Sequence, residues 1–324
     1  MRLVRYYGEV PQSLKGGVVA LGNFDGLHLG HQAVIGEAVR LAHSGSVPAA
    51  VMTFEPHPRL FFKPDQEPFR LSPFRIKARL IEAMGVDYLY VQTFDKDFSQ
   101  RSAENFVEEI LVQGLNVSHV VVGFDYVFGR GRGGNVTLLH DMARKHNFGV
   151  TAVAEKRGSG VRYSSTNIRT FLKDGQPFEA AKLLGRYWEI EGRVEHGDQR
   201  GRFMGFPTAN LPYADYLHPK RGVYAVRAGV DRGAETVWHD GVANFGTRPT
   251  FDKKDLLLEV HLFGVDVNLY QKHLRVALIE HLRPEQKFEG LEAIKAQIAK
   301  DCEAAKIVLK ARGFAPGAAP YVAV

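Results

Sequence analysis

Apolar runs and helical spacings alternate through the first half of the chain. GVVALGN (17–23), PAAVMTF (48–54), DYLYVQTF (87–94), HVVVGF (119–124) and FGVTAVAE (148–155) are short apolar segments of strand length. Between them, apolar positions recur at helical spacing over 29–43, 74–84, 102–113, 135–147 and 166–173. Strands without a polar face are covered on both sides, and strand–helix alternation marks βαβ units. The pattern predicts an α/β domain: a doubly wound parallel sheet whose ligands bind beyond the strand C-termini. The motif-rich loops fall there, after 23, 54, 124 and 155.

A short helix at about 176–185 is expected to end this domain, so we divide the chain into 1–185 and 186–324. From Tyr187 onward the runs shorten and alternate: YWEIEGRVEHGD, GVYAVRAGV, TVWHDGVANFG, LLLEVHLF and HLRVALIEHL, spaced by Gly, Pro and Asp turns. This predicts a small antiparallel β-barrel or sandwich. A terminal helix is expected over about 285–312, with Phe288, Leu291, Ile294, Ile298, Ala305 and Leu309 on one face, and a loose tail PGAAPYVAV after it.

Composition narrows the class. The 324 residues suit two domains, and 45% hydrophobic with 24% charged residues is ordinary for a globular protein. A net charge of +6 fits phosphorylated anionic substrates. Nucleic acid is not expected as a partner: no block of like charges occurs, and Lys and Arg do not interleave with aromatics as stacking platforms do. One cysteine, Cys302, excludes an intrachain disulfide and suits a cytoplasmic protein. The opening MRLVRYYGEVPQSLKGG has no apolar core of the secretory kind, and no uncharged stretch has the length of a spanning helix, so no membrane partner is expected.

The chemistry concentrates in GNFDGLHLGHQ (22–32), where a strand ends, glycines turn the chain and a helix begins. His28 and His31, three apart at that helix start, can face one point beside free N–H groups, a ready phosphate site. Elsewhere no Gly-Lys dipeptide, and hence no Walker A loop, occurs. Thr208 and Asn210 alternate along an extended segment and point the same way; they are either hard oxygen ligands of the kind Mg²⁺ takes or part of an ordinary Gly-rich turn leading into a strand, and the residues alone do not decide. Glu259, between Leu258 and Val260, is either a solvent-facing strand residue or a placed functional carboxylate; periodicity does not decide.

These residues carry a resemblance. His28-Leu29-Gly30-His31 is similar to the HxGH signature of nucleotidylyltransferases, and NFDGxHxGH resembles that of bacterial bifunctional riboflavin kinase/FAD synthetases in particular. TFEPHP (53–58), GFDYVFGRGRGG (123–134, with Tyr126 for the usual Phe) and SSTNIR (164–169) resemble further motifs of that family. In the second half, GRVEHGDQRGRFMGFPTAN (192–210), GVANFGTRPTF (241–251) and RPEQKF (283–288) resemble riboflavin kinase segments. Gly264-Val265 and Leu269-Tyr270-Gln271 depart from the Asp-Phe and Leu-Tyr-Gly common in the family.

The resemblance implies an ATP-using enzyme that makes FMN from riboflavin in its second half and FAD from FMN in its first. It implies His28, His31 and Arg169 as catalytic groups of adenylyl transfer, with Asn23, Gly30, Phe54, His57, Asp125, Ser165 and Thr166 binding nucleotide or flavin. Ser165 or Thr166 is expected to cap the helix that follows. For the kinase it implies Glu259 as base, Thr208 and Asn210 on Mg²⁺, and Gly201, Arg202, Gly205, Arg248 and Arg283 around the ligands. The expected partners are the small molecules riboflavin, FMN and ATP, with the protein a monomer or weak homo-oligomer. The rival readings are another HxGH nucleotidylyltransferase, a nucleic-acid-binding protein, and a chain with one active half.

Overall fold

The computed structural model describes residues 1–158, 160–196, 200–249, 254–265 and 267–320, without the side chains of 200, 202, 247–249 and 254–256. Two compact units form: residues 1–67 with 72–163, and residues 68–71 with 164–324.

The first unit holds six strands, β1 (Arg2–Val4), β2 (Val18–Leu21), β3 (Ala49–Glu55), β4 (Tyr88–Thr93), β5 (His119–Gly123) and β6 (Gly149–Val153). They pair in the order β1-β4-β3-β2-β5-β6, all parallel. Alternate side chains leave the sheet on opposite faces. Val18, Ala20, Val51 and Leu89 join Ile35, Ala38 and Ile81 of helices Leu29–Gly45 and Phe74–Glu82. Val19, Leu21, Met52 and Tyr90 join Val107, Ile110, Leu139 and Met142 from Phe106–Gly114 and Val136–His146. The unbroken apolar runs are thereby explained: each face has its own core. The three-residue β1 was too short to show a period. A small hairpin, β7 (Arg157–Gly158) with β8 (Val161–Arg162), follows β6.

The second unit holds β9 (Glu189–Arg193), β10 (Ala209–Pro212), β11 (Gly222–Val230), β12 (His239–Pro249), β13 (Lys254–Leu262) and β14 (His273–Arg283) in the antiparallel order β10-β13-β12-β11-β14-β9. A bridge between Glu195 and Asn210 joins the two end strands, so the sheet is a nearly closed barrel. Tyr213, Tyr224 and Phe245 meet edge-to-face at 4.9 and 5.4 Å. Outside, Val223, Ala225 and Ala277 pack with Cys302, Ala305 and Leu309 of helix Leu291–Arg312.

Helices Ser165–Lys173 and Pro177–Leu184 fall in the second compact unit, where Ala181 joins the cluster outside the barrel. Two expectations change here. The terminal helix begins at Leu291 rather than near 285, behind Gly290 at φ 95°, a conformation open to glycine. The tail is fastened as far as residue 320: Arg227, 3% exposed, donates to the Ala318 carbonyl at 2.7 Å, and the N–H of Trp238 donates to Gly317 at 3.1 Å. Gln271, where the family commonly has glycine, lies in the left-handed region at φ 64°. Among the described residues no helix is long and apolar enough to cross a membrane.

Candidate active sites

In the first unit β2 has β3 on one side and β5 on the other, the switch point at which open α/β sheets bind ligands. The loop leaving β2 is forced into an unusual path: Phe24, Gly26 and Leu27 have φ of 50°, 84° and 41°. Such conformations cost on the order of 1–3 kcal/mol for a non-glycine residue and persist only where the surroundings fix them. Here Thr53 Oγ1 donates to the Asn23 carbonyl (3.2 Å), Gly26 N–H to Ser72 Oγ (2.7 Å), Ser72 N–H to Asp25 Oδ1 (3.0 Å) and Gln32 Nε2 to the Leu27 carbonyl (2.9 Å).

The loop delivers His28 as the N-cap of helix Leu29–Gly45, its Nδ1 accepting the His31 N–H at 3.2 Å. The acceptor role fixes the neutral tautomer with its proton on Nε2. The His31 ring stacks on His28 with centroids 3.6 Å apart and meets Phe24 edge-on. A side chain at Gly30 would stand 3.0 Å from the His28 ring, which explains the glycine between the histidines. The expected convergence of the two imidazoles at a helix start is therefore present.

At the ends of the neighbouring strands the picture is mixed. Phe54, expected at a ligand, is 7% exposed and points into the core, since it shares the face of Ala50 and Met52. The exposed ring is Phe62, in helix Pro58–Phe62, edge-on to Phe61 and Phe94 at 5.2 and 5.7 Å. Sequence reasoning missed it; the doubled Phe after TFEPHP was the available signal. His57 caps that helix through Nδ1, accepting from Arg59 N–H at 3.1 Å. Asp125, beyond β5, pairs with Arg162 (2.5 Å), which lies over the exposed Phe124 ring.

Helix Ser165–Lys173 is capped by Ser164, not by Ser165 or Thr166: Ser164 alone has the extended backbone a cap needs, and its Oγ accepts from Asn167 N–H at 3.2 Å. Ser165 and Thr166 occupy the first turn, Thr166 exposed. One turn on, Arg169 Nε donates to the Phe69 carbonyl at 2.9 Å.

In the barrel, register supplies what periodicity does not, the neighbours of Glu259. Glu259 lies directly opposite Asn210 on β10 and directly opposite Asn244 on β12. Residues opposed across antiparallel strands share a face. The three polar side chains therefore form one row, and Glu259 is half-buried within it. Asn210 is 5% exposed, and its Oδ1 has no hydrogen-bond partner among the described residues. Upstream, a Cβ on Gly201 would stand 2.4 Å from the Phe206 carbonyl oxygen and 3.4 Å from Thr208 Oγ1; Gly205 has φ 86°. Both glycines are required by the turn. His261 Nδ1 is 2.9 Å from the Pro207 carbonyl and ties down the approach to Thr208.

Asn244 and Glu285 were not foreseen. Glu285 Oε1 and Asn244 Nδ2 both close on Gly246, within 2.6 and 2.9 Å of where its Cβ would be. The side chains of Arg202 and Arg248 lie outside the described residues. Arg283, expected at a ligand, instead forks onto Asp301 of the terminal helix at 2.8 and 2.7 Å and donates to the Pro284 carbonyl at 2.9 Å; its donors fasten that helix. A separate group, Glu191, Asp231 and His273, has ligand atoms within 4.8 Å of one another, but Arg275 supplies the positive charge there, 3.9 Å from Asp231.

Comparison with known proteins finds a different family model in each half. Residues 10–167 match the family model of FAD synthetase and residues 184–309 that of riboflavin kinase. The chain is 41% identical over 302 residues to the bifunctional riboflavin kinase/FMN adenylyltransferase of Escherichia coli (strain K12), covering 93% of this chain and 96% of the relative. It is 42% identical over 287 residues to the Listeria monocytogenes protein of the same name, covering 88% and 90%. The chain belongs to the bifunctional riboflavin kinase/FMN adenylyltransferase family. A solved structure titled a macrolide-efflux protein, from Streptococcus pneumoniae, is 29% identical with a TM-score of 0.81 over 94% of this chain and 98% of that one. As a riboflavin kinase/FMN adenylyltransferase the enzyme phosphorylates riboflavin to FMN with ATP, then adenylylates FMN to FAD.

Proposed function

We propose that residues 1–185 carry adenylyl transfer and 186–324 the kinase reaction, each with its own chemistry. The FMN phosphate, with a second pKa of about 6, is largely a dianion at neutral pH and attacks the α-phosphorus of ATP without a base. Positioning and charge neutralisation then suffice. His28, through Nε2–H, and His31 donate to the phosphates at the start of helix Leu29–Gly45, while Asn23 and Gly30 shape the loop. Phe62, with His57 and Asp125 on the adjoining loops, offers a ring face to flavin or adenine.

The kinase substrate is an alcohol, a poor nucleophile, and Glu259 takes its proton. Thr208 and Asn210 are the residues that would hold Mg²⁺: the unpartnered, buried Oδ1 of Asn210 suits a hard cation. When bound, Mg²⁺ would neutralise charge on the transferring phosphoryl group. Gly201 and Gly205 let the backbone of the 200–207 turn approach the phosphates, as P-loop glycines do without sharing their sequence. The observation that carries this reading is the register of Asn210 against Glu259. A cytoplasmic site of action fits the ATP that both reactions consume, and a monomer or weak homo-oligomer serves, since every residue named comes from one chain.

Chromatography of flavins over time tests the assignment. Glu259→Gln should slow FMN formation by about 10²–10⁴-fold and leave conversion of FMN to FAD running. His28→Ala should do the reverse. Loss of both steps by either change in a folded protein would refute the separate sites.

A further inference from the structure

Lys77 is 2% exposed, on the inner face of helix Phe74–Glu82 between Ile76 and Ile81. A methionine would fill that place without the cost of desolvating an ammonium group. What the ammonium group provides is visible in its contacts. Nζ donates to Glu55 Oε1 at 2.9 Å and to Thr53 Oγ1 at 3.4 Å, both at the C-terminal end of β3. Thr53 Oγ1 in turn donates to the carbonyl of Asn23 at 3.2 Å.

The direction of this chain matters. A threonine hydroxyl has one proton, and an ammonium group can only donate. With Lys77 on its acceptor side, the Thr53 proton is committed to the Asn23 carbonyl. Without Lys77 the hydroxyl is free to turn. Asn23 is the residue from which the chain enters the strained path through Phe24, Gly26 and Leu27 to His28.

We propose that Lys77 is a positioning residue for adenylyl transfer: acting through the Thr53 hydroxyl, and with its charge balanced by Glu55, it holds the loop that presents His28 and His31. The proposal rests on the reading of that loop as the adenylyl-transfer site.

Lys77→Met, Thr53→Val, Thr53→Ser, the double variant Lys77→Met/Thr53→Val and His28→Ala are made in the full-length chain. FMN-to-FAD and riboflavin-to-FMN rates are measured on each, with circular dichroism and urea unfolding reporting folding of the first unit, to which Lys77 and Thr53 belong. Lys77→Met and Thr53→Val should each lower kcat for FAD formation by about 10–100-fold, the range expected for displacing a catalytic loop by up to an ångström, with the kinase rate kept. Thr53→Ser, which retains the hydroxyl, should restore the rate. The double variant should lose no more than either single change, because both break one chain. Unchanged kcat in Thr53→Val, failure of Thr53→Ser to rescue, or multiplicative losses in the double variant would overturn the proposal; Thr53→Val against Thr53→Ser decides it even if Lys77→Met does not fold. His28→Ala with full FAD synthesis would overturn the site reading instead.

Discussion

Replacing Gly201 by alanine sets a methyl group against the backbone oxygen of Phe206. The ideal Cβ falls 2.4 Å from that oxygen, and an ordinary contact begins near 3.4 Å. The opposing atom is backbone, so no rotamer relieves the clash. Either the 200–203 turn or the Phe206 carbonyl must move, by about 1 Å in total. Phe206 stands two residues before Thr208, and the same Cβ lies 3.4 Å from Thr208 Oγ1, so the displacement is delivered to the proposed cation ligand. A 1 Å misplacement of reacting groups costs roughly 100-fold in rate. At 1.36 kcal/mol per tenfold, that is about 2.7 kcal/mol of transition-state stabilisation. Gly201→Ala should therefore slow riboflavin phosphorylation about 100-fold at saturating riboflavin and ATP, while FMN-to-FAD conversion, read by flavin chromatography on the same sample, stays within about twofold. Gly36→Ala, whose Cβ meets nothing within 4 Å, serves as the neutral control. A Gly201→Ala enzyme that phosphorylates riboflavin at the parental rate would refute the claim that this turn sets the position of Thr208.

Two further outcomes are expected. Asp301→Ala leaves the Arg283 guanidinium without its carboxylate partner, and breaking such a buried pair costs about 3–5 kcal/mol; taking the lower end because Arg283 is 16% exposed, urea unfolding should show a loss of about 3 kcal/mol, and an unmoved midpoint would show that the terminal helix is held elsewhere. Burial holds the imidazole of His119 below its usual 6.5, with the Glu37 charge opposing weakly, so as the pH falls below 6.5 the unfolded chain binds this proton before the folded one and stability declines. His119→Asn removes that contribution, and its stability measured by urea unfolding should fall less steeply below pH 6.5 than the parent's; parallel curves would count against it.

Much of the site was legible because it is local. A histidine pair three apart at a strand–Gly–helix junction needs only helical geometry to converge, and the stacked rings of His28 and His31 follow from it. Likewise the close approach of Gly201 to Phe206, and the left-handed turn at Gly205, lie within a few residues of chain. The misreadings turn on packing and backbone geometry that residue type does not show. Phe54 belongs to a motif yet faces the core, because strand alternation fixes its direction and the helix placing Phe62 at the surface comes afterwards. Arg283 sits in a motif yet is claimed by Asp301, eighteen positions on. Ser164 takes the cap expected of Ser165 because backbone angles, not residue type, choose among three consecutive hydroxyls.

By itself the sequence determined the order of elements and the pairing of His28 with His31 at a helix start, since hydrophobic period and helix starts are written in neighbouring residues. The tertiary structure decided which strand lies beside which. Glu259 became a member of a polar row only when β13 paired with β10 and β12 in a register that sets it against Asn210 and Asn244. A shift of one residue would have turned that carboxylate to the other face. Strand register is settled by the packing of the whole barrel, so the alternation of polar and apolar residues along one strand does not contain it.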